Sequence, residues 1–115
     1  MLLIYSDPSV VDGLSLEEIQ ARRAEVMPHW MEWFDYLQQN AKSVDGQELD
    51  ESTTAKTIRY ENGEPVVTDG PFADTKEQIG GYLLVECENL DEAIDMAARS
   101  PITSRGSVEV RPVVE

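Results

Sequence analysis

Leu16, Ile19, Val26, Trp30, Phe34, Leu37 and Ala41 recur at helical spacing behind Ser15 and Glu18, which together have the form of a capping box. The run predicts one amphipathic helix over residues 16–41, about 39 Å long at 1.5 Å per residue. A helix with a single apolar stripe must bury that stripe, so the rest of the chain has to supply a surface to receive it. Pro28 lies inside the run and deletes a backbone donor, which predicts a kink or a break into two pieces. On the helical wheel Arg22, His29, Trp33 and Tyr36 fall along one edge of the stripe.

The receiving surface is a sheet. Residues 2–5 are wholly apolar and stop at Asp7-Pro8. Residues 53–60 are rich in β-branched side chains, and Asn62-Gly63 then supplies the pair that a tight hairpin turn favours, with residues 64–68 as the returning strand. Asp69-Gly70-Pro71-Phe72 reads as a further turn. Residues 82–88 form a central strand, with Leu83, Val85 and Cys87 on one side and Tyr82, Leu84 and Glu86 on the other. Asn89 caps a second helix whose Ala93, Ile94, Ala97 and Ala98 make a small-residue face, and Pro101 ends it. Residues 107–113 alternate as a last strand, and the polar segment 45–54 reads as a mobile connection. Two crossovers around a hairpin give the order βαββαβ, an α+β ferredoxin-like fold with both helices on one face of an antiparallel or mixed sheet. The other face is left for a partner, which a dimer provides.

The 115 residues make a single domain, 1–115. Nine basic and 23 acidic residues give a formal charge of −14, which disfavours nucleic acid and anionic membrane as partners. Cys87 is the single cysteine and His29 the single histidine, so a disulfide framework and a zinc site of Cys and His ligands are both excluded within one chain. Alternation with Leu83 and Val85 predicts a buried, inert thiol at Cys87. No dinucleotide fingerprint, nucleophile elbow or calcium-loop spacing is present, and Lys76 lacks the glycines of a phosphate loop, so no metal or cofactor is expected. The opening apolar run is too short for a secretory leader, and no run approaches the roughly 20 residues of a membrane span. A soluble cytoplasmic protein is the expectation.

Residues 67–82 read VTDGPFADTKEQIGGY. This segment resembles the signature of the DGPF-type YCII-related proteins, DGPFAETKEQLGG followed by an aromatic residue, with Asp74 in place of Glu and Ile79 in place of Leu. The opening strand and the closing segment 106–112 are similar to the family's ends, so the resemblance covers essentially the whole chain. It implies a ferredoxin-like subunit that pairs through its sheet into a dimeric α+β barrel. Family members are often encoded beside sigma factors of the extracytoplasmic-function type, which implies a regulatory role and a sigma-factor-related partner. The broader group is thought to use a first-helix histidine with an aspartate as an acid/base pair. His29 stands where that histidine would be, but Ser100, ahead of Pro101, stands in place of the aspartate. Asp69 is then the candidate to take the role from across the cavity.

The candidate catalytic residues are therefore His29, the one side chain whose ordinary titration lies near neutrality, and Asp69, fixed by a Gly-Pro turn. The candidate ligand-binding residues are Arg22, as partner for an anionic group, and Trp33, Phe72 and Tyr82, as apolar or aromatic lining. Each has a plainer reading. Asp69 suits an Asx-turn, His29 and Arg22 a solvated helix edge, and Trp33 the core. A small-ligand-binding or regulatory dimeric module stands first, and a cofactor-independent acid/base enzyme working in the dimer cavity stands as the alternative.

Overall fold

Strand β1 (Leu2–Ser6) is one of the two inner strands of the main sheet, and Leu2 at its start is fully buried. The computed structural model describes residues 1–72, 76–102 and 106–114, so Ala73, Asp74 and Thr75 of the signature lie outside the described residues. After a short 3-10 turn (Pro8–Val11), helix α1 spans Leu16–Asn40. Ser15 caps it as expected, its Oγ accepting from the Glu18 amide at 3.1 Å. The helix runs unbroken through Pro28, so the expected division into two pieces does not occur. One lost donor in 25 residues is tolerated because the hydrogen-bonded turns on either side, and the buried pair Trp33 and Leu37, hold the rod together.

Strands β2 (Ser43–Glu48), β3 (Lys56–Glu61), β4 (Glu64–Asp69) and β5 (Gln78–Glu86) follow, then helix α2 (Leu90–Ala98) and strand β6 (Gly106–Val110). The main sheet has the order β2-β5-β1-β6 with every neighbouring pair antiparallel. That order and the two helices are compatible with the ferredoxin-like α+β class. The assignment of strands within it needs correction. The hairpin read as residues 53–60 and 64–68 does form, but as a separate two-stranded ribbon, β3 and β4. The second strand of the main sheet is the polar segment SVDGQE, whose last four residues fall in the stretch 45–54 expected to be a mobile connection. It is an edge strand with only Val44 and Gly46 half-buried, so polar side chains dominate its sequence. Gly46 carries the structural signal, since a Cβ there would lie 2.2 Å from the carbonyl oxygen of Tyr82.

Cross-strand register puts Leu2, Ile4, Val44, Leu83, Val85, Val108 and Val110 on one face of the sheet, facing the helices. Leu37 and Trp33 from α1 and Met96 and Ala97 from α2 close over them. Trp33 is 3 % exposed, and its indole N–H donates to the Met96 carbonyl at 3.0 Å, joining the two helices inside the core. The opposite face carries Leu3, Tyr5, Ile79, Tyr82 and Leu84, with no element of the described residues laid over it.

The first half of α1 projects along the end of the sheet. There Arg23 forks onto Glu48 of β2, with Nη1 to Oε1 at 2.6 Å and Nη2 to Oε2 at 2.7 Å. These hydrogen bonds, with the attraction of the guanidinium, hold the Glu48 carboxyl below the usual carboxylate range against an opposing effect of partial burial. No helix among the described residues is long and apolar enough to cross a membrane.

Two outcomes follow. Replacing Trp33 by Phe removes the donor to Met96 and part of a core side chain, and equilibrium denaturation is expected to show a loss of about 2 kcal/mol. Glu48→Gln is expected to cost less than about 1 kcal/mol at pH 7, because both partners are largely exposed. The Glu48 carboxyl is depressed, so its contribution is present above the ordinary carboxylate range and disappears as pH falls through the folded-state value. Denaturation curves of wild type and Glu48→Gln should therefore converge on acidification below about pH 4.

Candidate functional site

Asp69-Gly70 stand where β4 ends and the chain turns toward β5. Gly70 has φ of +94°, a conformation that suits glycine, and its amide donates to the Ala55 carbonyl at 2.8 Å while its own carbonyl accepts from Thr57 Oγ1 at 2.8 Å. The root of the hairpin is thereby closed on both strands. Among the described residues, no backbone amide donates to the Asp69 carboxylate as the expected Asx-turn requires. The carboxylate is largely exposed and takes an ion pair from Lys56, the residue directly opposite in the β3–β4 register. Pro71, two residues on, has no N–H to offer the carboxylate, and the cross-strand cation takes it instead.

Phe72 is 75 % exposed and lies under the Arg59 guanidinium, 5.2 Å from its centre, while its carbonyl accepts from Arg59 Nη2 at 3.2 Å. One arginine on β3 thus grips ring and backbone of the signature loop together. Between this loop, the turn after β1 and the short 3-10 turn Ser52–Thr54 runs an open groove of about 370 Å³. Pro8, Ser52, Thr53, Asp69, Gly70, Pro71 and Gln78 line it. Asp7, only 5 % exposed, anchors one wall by accepting from the Ser9 amide at 2.9 Å. The groove is open to solvent, and its lining sets two hydroxyls, an amide and the Lys56-paired carboxylate of Asp69 among mostly apolar surface.

The other predicted residues are placed apart from this groove. His29 and Arg22 are exposed on α1, and neither makes a hydrogen bond or ion pair among the described residues. No such bond joins His29 to Asp69 within one chain. Trp33 is in the core with its polar atom engaged. Tyr82 is half-buried on the uncovered face of the sheet, opposite Leu3 and Gln47. Cys87 is half-buried rather than fully buried, with Sγ 3.4 Å from the Asn89 carbonyl. Pro8, Ser52, Thr53 and Gln78 were not singled out from sequence. Gln78 sits inside the signature, and Pro8 was legible only as a strand stop, so proximity to Asp69 had no signal along the chain.

The profile of the YCII-related domain matches residues 1–115. An uncharacterized protein of Rhizobium meliloti (strain 1021) is 37 % identical over 114 residues, covering 97 % of this chain and 89 % of that one. With a four-stranded antiparallel sheet under two helices and a match along residues 1–115, the chain belongs to the YCII-related domain family.

Proposed function

We propose that this protein is a dimeric module that binds a small polar molecule at the signature loop and serves a regulatory role, with a sigma-factor-related protein of the extracytoplasmic-function type as its partner. The observation that carries the reading is the groove, in which Asp69, Gly70, Pro71 and Gln78 of the signature meet Pro8, Ser52 and Thr53 from two other parts of the chain. The groove is open on one side, and its one charged lining residue, Asp69, is shared with Lys56, so hydroxyls, the Gln78 amide and the Pro8 and Pro71 rings supply the remaining contacts. Pairing through the uncovered sheet face, with Leu3, Tyr5, Tyr82 and Leu84 at its middle, gives the dimeric barrel form of the module. An acid/base enzyme instead needs His29 and Asp69 to act together, and within one chain no bond links them.

Titration of a panel of small amines, amides and polyols is expected to move the amide resonances of Asp69, Gly70 and Gln78, with the response weakened at least tenfold in Asp69→Asn. Shifts confined to other parts of the chain would sink the groove reading. His29 ring resonances at pH 7 that change in the same variant would instead favour the acid/base pair. For the sheet face, Leu84→Glu places a charge on an uncovered apolar surface, and sedimentation velocity should show a dimer weakened at least tenfold with helix content retained.

A further inference from the structure

The ribbon β3–β4 pairs with no third strand among the described residues, and an isolated two-stranded hairpin is at best marginally stable in water. Its register places Ile58 opposite Val67 and Tyr60 opposite Pro65, so these four share one side of the ribbon. Ile58 is 61 %, Val67 62 % and Tyr60 76 % exposed. The root is held by Gly70 to Ala55, Thr57 to Gly70, Lys56 to Asp69 and Arg59 to Phe72, while the tip turns at Asn62 and Gly63, both with positive φ. A fixed root, a clean turn and an uncovered apolar side describe an arm built to lie on something.

The size of the uncovered surface indicates what that is. The chain exposes 8584 Å², roughly 2,300 Å² more than the roughly 6,300 Å² of a compact monomer of its mass. Its radius of gyration is 16.4 Å against about 13 Å for a compact domain of this length. An excess of that size matches one partner's share of a large obligate dimer interface. The chain also has a second unlike surface without cover, the open sheet face, and the arm springs from the end of that same sheet, where Leu49 of the outgoing chain donates to the Gly80 carbonyl at 2.9 Å. One two-fold axis covers both arms and both sheets at once, because an isologous contact uses each surface twice.

We propose that the β3–β4 hairpin is an intersubunit arm whose Ile58, Tyr60, Pro65 and Val67 side docks on a second copy of this chain. The inference rests on the sheet-face dimer proposed above and adds the element that clasps it. The test is sedimentation velocity on full-length wild type, Ile58→Glu and Leu84→Glu, with amide hydrogen exchange of residues 56–69 measured above and below the dissociation midpoint. Expected is a dimer weakened at least tenfold by Ile58→Glu, with arm amides protected only in the dimer. Ile58→Thr, which keeps a strand-forming side chain and adds no charge, should weaken it in the same direction and guards against a folding defect in the glutamate variant. A dimer broken by Leu84→Glu but indifferent to both Ile58 variants overturns the arm and leaves the sheet-face pairing. A dimer sensitive to Ile58 alone supports the arm and removes that pairing. A wild type that is monomeric with freely exchanging arm amides at every concentration, or a dimer insensitive at both positions, overturns both.

Discussion

The indole of Trp33 meets the carbonyl of Met96 in the one place where sheet, long helix and short helix all converge. Aromatic bulk fills the space between α1 and α2, and the N–H gives that packing a direction, since a buried donor without a partner is costly. The carbonyl it finds is at the end of α2, where main-chain acceptors run out of helical partners; the Arg99 amide shares it at 3.3 Å. Everything else in the helical layer is fixed relative to this contact. With the two helices tied over Leu2 and Leu83, the first half of α1 reaches the edge strand β2, where Arg23 meets Glu48.

The elements with local chemistry were legible in the sequence. Ser15 and Asn89 announce helix starts because a side-chain oxygen must take an orphan amide, and they do so at 3.1 and 2.9 Å. Asn62-Gly63 marks the hairpin because few other pairs accept two positive φ angles. The edge strand β2 escaped because its partner alone makes it a strand. Asp45, Gln47 and Glu48 face solvent, and Gly46, which looks like a breaker, is there so that the neighbouring backbone can approach. The same limit applied to the site. Asp69 was visible as a turn residue and as part of a signature, whereas its ion pair with Lys56 depends on hairpin register, and its neighbours Pro8 and Ser52 are brought near only by the closed fold.

Charge and shape constrain one another in this chain. At −14, acids are spread over helix surfaces and the edge strand, and the few cations are spent on specific carboxylates or rings: Arg23 on Glu48, Lys56 on Asp69, Lys42 on Glu88, Arg59 on Phe72 and Arg99 on Asp95 and Tyr36. Most are exposed and contribute little stability individually. Their effect is positional, since Arg23, Lys42, Lys56 and Arg59 each tie one stretch of chain to another.

The position of β1 also sets a timetable. Leu2 is hydrogen-bond neighbour to Leu83 on one side and Val110 on the other, so both strands that flank β1 are drawn from Gln78 onward. During synthesis α1 can form early from local contacts alone, but the first-made strand has no ladder to join until β5 emerges, and it stays half-open until β6 follows. Until β5 is made, residues 2–5 have neither of the strands that pair with them in the fold, so the apolar edge of β1 is closed only by the second half of the chain.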